Sequence, residues 1–179
     1  MTERYVRPGS GTHEPPPLRK VTADVLTDIG WLSGTFNVPA YQSLVDFLAP
    51  GVQVIKFTRV RLPQASDLIP FVALRREAVM LIEPTLNDDL IETPGSIGRT
   101  TPRDVVCLLS AGQVRGTLEV LVNVRVSDFL RQQANLIVLR RCVFGPYGEP
   151  EESPKARRLG TVIVNLSTAV GVAERDWPE

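Results

Sequence analysis

Beyond residue 13 this 179-residue chain contains no histidine; the only one, His13, sits in a proline-rich stretch near the N-terminus. That removes the commonest general base and the commonest metal ligand from any site the remaining residues build. The two cysteines, Cys107 and Cys142, have none of the C-x-x-C spacing of a zinc or redox site. Neither a hydrolase triad nor a metal centre is therefore expected, and no cofactor. No apolar run approaches the roughly 18 to 20 residues that span a bilayer, so no membrane contact is expected. The opening stretch MTERYVRPGSGTHEPPPLRK also lacks the apolar segment of a signal peptide. A cytoplasmic protein with reduced thiols is the expectation. Charge of one sign is missing too: 20 basic and 20 acidic side chains cancel, so no global field draws the molecule to nucleic acid.

What is present is the composition of an ordinary globular protein, 43% hydrophobic and 22% charged. Residues 1–19 carry Pro8, Gly9, Gly11 and Pro15-Pro16-Pro17 with hardly an apolar side chain, and read as a flexible arm. Residues 85–102 are again rich in Pro, Gly, Thr and Asp and read as a linker between folded units at 20–84 and 103–174, with a short tail at 175–179.

The two units repeat one another. A shift of 82 residues lays Leu26 on Leu108, Gly30 on Gly112, Gly34-Thr35 on Gly116-Thr117 and Asp46-Phe47-Leu48 on Asp128-Phe129-Leu130, with no gap. The same shift matches Ile55 with Ile137 and Arg59 with Arg141. Duplication explains such agreement better than chance.

Each copy has the grammar of strands. VTADVLTDIG and RDVVCLLSAG end at a glycine, and WLSGTFNV and QVRGTLEV resume after it with alternating apolar positions, which predicts a hairpin. Gly30 and Gly112 fit its turn, whereas Gly34 and Gly116 fall inside the second strand, where glycine marks a bulge or bend. SLVDFL and RVSDFL break the alternation and predict one helical turn, capped by Asp46 or Asp128, with Phe47-Leu48 and Phe129-Leu130 folded inward. Strands follow at 53–62 and 135–144, and a last pair of apolar runs closes each copy, at 71–83 and 160–174. Five strands with one helical turn, twice, predicts an all-β chain of two small curled barrels.

In VVCLLSAGQVRGTLEVLV followed by NLIVLRRCVF, the second copy resembles the Sm-like family, with Gly112, Gly116, Leu118, Asn135 and Leu136 in matching places. The stretch LGTVIVNLSTAVGVAE, residues 159–174, resembles that family's second motif. The resemblance covers about residues 103–174 and, more faintly, 20–84; it implies tandem Sm-like, SH3-like barrels. The RVSDFL turn also looks like short uncharacterised bacterial domains. Sm-like proteins that hold RNA place an Arg-Gly or Lys-Gly step in the second motif; here Asn165-Leu166 or Arg75-Arg76 stands there. RNA recognition therefore does not carry over.

The remaining polar residues have plain readings. Asp46 and Asp128 lie beside different loops without a histidine, which favours capping over acid-base work. Cys107 and Cys142 align with Val25 and Val60 and are expected in the core. Trp31, Phe36, Phe47, Phe57, Phe129 and Phe144 fall at core-facing positions, leaving Tyr41 and Tyr147 in loops, too few for a base-stacking platform. The candidate contacts for an anionic partner are Arg140 and Arg141, on the strand at 135–144, and Lys155, Arg157 and Arg158, in the loop 145–158 where Glu149, Glu151 and Glu152 compensate them. The expectation is a non-enzymatic scaffold or protein-interaction module that assembles through β-strand edges, with itself or another protein and with no small-molecule substrate. The alternative is an Sm-like RNA or single-stranded nucleic-acid binding protein.

Overall fold

The computed structural model describes residues 16–49, 51, 53–63, 65–85, 99–132, 135–148, 150 and 152–175. Most of the arm, most of the linker and all but the first residue of the tail lie outside the described residues.

Strands β1 (Leu18–Thr27) and β2 (Gly30–Pro39) form a ladder from Leu18↔Pro39 to Thr27↔Gly30. Strands β6 (Thr100–Leu109) and β7 (Gly112–Leu121) form the corresponding one, from Thr100↔Leu121 to Leu109↔Gly112. Both hairpins turn on a glycine of positive φ, 108° at Gly30 and 142° at Gly112, a conformation that costs glycine least. Period-2 alternation puts Val21, Ala23 and Val25 inside and Lys20 and Thr22 outside.

Helix α1 (Leu44–Phe47) follows the first hairpin and α2 (Val126–Gln132) the second. Ser43, not Asp46, caps α1. Its Oγ accepts from the Asp46 backbone N–H at 3.0 Å and donates to the Asp46 carboxylate at 2.7 Å, so Asp46 is the third residue of the turn. Asp128 likewise sits inside the first turn of α2, where it pairs with Arg131 at 3.4 Å. Leu48 is buried as expected, with Leu44 and Val126, the first helical residues; Phe47, Phe129 and Leu130 are half-buried.

The first half continues with β3 (Val54–Arg61), β4 (Leu68–Arg75), a 3-10 turn (Arg76–Ala78) and β5 (Val79–Pro84). The second continues with β8 (Leu136–Gly145), β9 (Arg157–Leu159), β10 (Val162–Asn165) and β11 (Ala169–Glu174). All pairings are antiparallel and make one eleven-stranded sheet in the order β11-β6-β7-β8-β10-β5-β1-β2-β3-β4, with β9 on β8. The sheet is open rather than closed into two barrels. The reason lies in β5 and β10, where Val79–Ile82 and Val162–Asn165 are buried at every position. A strand without a solvent face needs a core on both sides, and these two, paired with each other at Ile163↔Ile82 and Val164↔Leu81, give Val79, Ile82 and Ile163 to one apolar cluster and Met80, Leu81, Val162 and Val164 to another.

Two apolar clusters result, and each borrows from the other half. The first contains Phe36, Phe57 and Leu32 with Ile163; the second contains Leu109, Leu139, Cys107 and Cys142 with Leu26, Met80 and Leu81. In both halves the second and third strands skip register at the internal glycine, Gly34 or Gly116. A Cβ at Gly34 would stand 2.7 Å from the Phe57 ring, and one at Gly116 2.6 Å from Cys142 Sγ. Opposite them Arg59 and Arg141 take left-handed backbone, φ 53° and 52°, so each bulge is a matched pair of a bare glycine and a strained arginine.

Candidate functional site: the junction and the two free edges

The junction between the halves holds a half-buried ion-pair cluster and a buried asparagine. Arg157, on β9, reaches across to the first half. Its guanidinium pairs with Asp24 of β1 and with Glu83 of β5, the latter at 3.0 Å, and lies 4.1 Å from the centre of the Trp31 ring. Trp31 in turn meets Phe144 edge to face at 5.7 Å. Glu83 also accepts from the Gly160 backbone N–H at 3.0 Å, and Asp24 from Ser33 Oγ at 2.6 Å. Charge-assisted bonds of this kind are stronger than neutral ones, and the aromatic face adds a cation–π contact.

At the other end of β10, Asn165 is buried. Its Nδ2 donates to the carbonyls of Arg76 and Val79 at 3.2 and 2.9 Å, and its Oδ1 accepts from the Ser167 hydroxyl at 2.6 Å and from the Ser167 backbone N–H at 3.2 Å. Beside it lies a cavity of about 510 Å³ between Gly51, Gln53, the Arg75–Glu77 turn, Asn135 and Ser167. Arg76 lines this cavity, and its Nη2 is buried without a hydrogen-bond partner among the described residues. Arg75 is exposed and pairs with Glu77.

The outer edges of the sheet are β4 and β11. Strand β4 shows Leu68 and Phe71, 47% and 50% exposed, and β11 shows Val170, 78% exposed. Strand β11 reads AVGVAE and has no charge before Glu174, which leaves its edge without the lysines or prolines that discourage strand addition. Pro70 gives β4 one such device.

Of the five basic residues marked as partner contacts, Arg157 is half-buried and committed to Asp24 and Glu83, its guanidinium lying over the Trp31 ring. Arg140, Arg141, Lys155 and Arg158 are exposed. Asp46 is exposed and Asp128 half-buried, on separate helices. Burial pushes the Cys107 thiol up from an ordinary 9.0 to about 12. Cys142 also rises to about 12, chiefly through burial, then through Cys107 and Glu83 nearby, against a backbone hydrogen bond at Val162. Among the described residues no group of three or more His, Cys, Asp or Glu is placed to hold a metal ion, and no helix is long and apolar enough to cross a membrane. The junction residues Asp24, Trp31, Glu83 and Asn165 carry no motif. Their one signal is the unbroken apolar runs beside them, VMLI at 79–82 and VIV at 162–164.

Fold and site together define an all-β protein built on one antiparallel sheet, with the ion pairs of Arg157 joining its two halves. No family model matches the chain, and no curated protein or solved structure shows significant similarity to it.

Proposed function

We propose that this protein is a non-enzymatic structural module of two tandem, duplicated Sm-like halves sharing one open sheet, and that it assembles with further copies through its β-strand edges. The observation that carries the reading is the pairing of β5 with β10. In the first half the pairing order is β5-β1-β2-β3-β4, and in the second it is β11-β6-β7-β8-β10. The order makes β10 the counterpart of β4 and β11 the counterpart of β5. The edges left open are thus the counterparts of the two strands that already join within the chain. Exposed Leu68, Phe71 and Val170 on those edges are what a partner strand would cover. Mass measurement in solution tests this: the expected result is a particle of several chains. A strict monomer at all concentrations rules it out.

A second reading, an RNA or single-stranded nucleic-acid binder, rests on the cavity beside Arg75 and Arg76 and its unpaired buried guanidinium nitrogen. Electrophoretic shift with random RNA tests it. Binding that weakens steeply as salt rises supports phosphate contact, and no shift at low salt excludes it.

A further inference from the structure

The junction cavity is framed by matching turns of the two halves. Just after β4 the Arg76 backbone N–H donates to the Gln53 carbonyl at 2.9 Å, and just after β10 the Leu166 N–H donates to the Asn135 carbonyl at 2.8 Å. The Asn165 side chain then ties the Arg76 carbonyl to the second half at 3.2 Å. Bonds from both halves therefore fix the walls, and about 510 Å³ is the size of a preformed small-molecule site.

Arg76 is a residue that the fold does not demand. Its counterpart at the matching turn is Leu166, which packs against the second core. One half thus closes this turn with an apolar side chain and the other with a guanidinium. Arg76 is half-buried, and it lines both the cavity and a void of about 10 Å³ among Leu48, Ile55, Ile82 and Ile163. Its Nη2 is buried without a hydrogen-bond partner, and no carboxylate among the described residues pairs with it. A charge beside apolar side chains gains more from an opposite charge than one in open water. Three charged side chains line the cavity, but Arg75 and Glu77 pair with each other. Arg76 is left as one uncompensated cation.

We propose that this cavity binds a small hydroxylated carboxylate of the sugar-acid class, with its carboxylate against the Arg76 guanidinium. One free cation selects a single negative charge, and the planar fork of arginine suits the two oxygens of a carboxylate. The rest of the lining suits hydroxyl groups. The amides of Gln53 and Asn135 both donate and accept, and Ser167 Oγ, which donates to Asn165 Oδ1 at 2.6 Å, keeps lone pairs for a ligand hydroxyl. A nucleic-acid strand would instead bring a run of phosphates to one cation. The site goes beyond edge assembly and does not rest on it.

The test is calorimetric titration of the full chain with glucuronate, with glucose and with acetate, at constant ionic strength. One glucuronate per chain is expected, with glucose and acetate each weaker by about tenfold or more. Arg76→Leu should weaken glucuronate to the level of glucose while leaving the denaturant midpoint at or above the parent's, because Leu166 serves at the matching turn. A purely structural arginine would lower the midpoint and leave binding alone, which overturns the proposal. Glu77→Gln, an exposed change that frees Arg75, should tighten glucuronate several-fold. No glucuronate binding at millimolar concentration, or glucose binding as tightly as glucuronate, also overturns the proposal. Should Arg76→Leu not fold, unchanged binding in Glu77→Gln does so. Acetate as tight as glucuronate overturns the part assigned to the hydroxyl groups. Displacement of glucuronate by random RNA, lost steeply as salt rises, would give the cavity to nucleic acid instead.

Discussion

At Gly116 the sheet leaves no room for a side chain: a Cβ there would stand 2.6 Å from Cys142 Sγ, 3.1 Å from the Arg140 carbonyl oxygen and 3.3 Å from Leu139 Cβ. Two of these neighbours are strand backbone or its first carbon, which cannot swing aside as a long side chain would. Gly116→Val should therefore cost about 1–3 kcal/mol through overpacking, read as a lower midpoint in denaturant; an unchanged midpoint would contradict the close approach. The thiol that the valine would strike carries a second consequence. Cys107 and Cys142 are held at about 12 against an ordinary 9.0. Below that window both states keep the proton. Inside it only the unfolded chain ionises, so the folded state binds more protons and stability falls as pH rises. The slope reaches at most about 1.4 kcal/mol per pH unit for each thiol. Replacing both by valine, the residue at the matching positions Val25 and Val60, should flatten that loss, seen by comparing denaturant midpoints below and within the window. A variant with the parent's slope would mean that the thiols do not set it.

Among the elements, β9 and β10 do the most for their length. Three residues of β9 bring Arg157 to Asp24 and Glu83, and four of β10 carry Ile163 into the first core and Asn165 to the carbonyls of Arg76 and Val79. Asn165→Leu leaves those two carbonyls without their donor, at a cost of about 1–3 kcal/mol. Arg157→Met keeps an apolar stem beside Trp31 but leaves two carboxylates facing one another. Because Arg157 is partly exposed, its loss should cost less, about 1–2 kcal/mol. A double-mutant cycle of Arg157→Met with Glu83→Gln should show coupling in denaturant midpoints; simple additivity would mean the pair does not interact. The hairpins β1-β2 and β6-β7 were legible in the sequence because alternation and a turn glycine are local signals. The burial of Cys107 and Cys142, the bulges at Gly34 and Gly116 and the presence of a helical turn in each half could be read from the same local patterns. The junction could not be read that way. Asn165 and Arg157 look like loop or surface residues until a distant strand supplies their partners, and Pro70 hides the start of β4 unless that strand is already known to be an edge. The cap at Ser43 was obscured by Asp46 three residues on, since both residue types serve at helix starts.

At the scale of the whole molecule, the pairing inside the chain specifies how further copies should join. The β8-β10 ladder begins Leu136↔Asn165 where β3-β4 begins Val54↔Arg75, which matches Ile163 to Ala73 and Val164 to Leu74. The β6-β11 ladder pairs Leu109 with Ala169 where β1-β5 pairs Thr27 with Val79, which matches Leu81 to Gly171 and Ile82 to Val172. Carried to the open edges, the junction Ile163↔Ile82 becomes Ala73 of one copy opposite Val172 of the next. Directly opposed residues of an antiparallel pair stand about 4.5–5.5 Å apart at Cα, within reach of a disulfide. Ala73→Cys with Val172→Cys should therefore give a ladder of cross-linked chains on mild oxidation, while either single variant stays uncross-linked. The native thiols do not interfere, because both are buried. Such a contact is head to tail, so copies continue until rotation closes a ring or, failing closure, a filament grows. Val170→Glu, at the exposed start of the β11 edge, should stop the ladder without lowering the melting midpoint of the single chain. Cross-linking by Val172→Cys alone would instead mean that two β11 edges pair with each other, a two-fold contact that ends at the dimer and removes the head-to-tail arrangement.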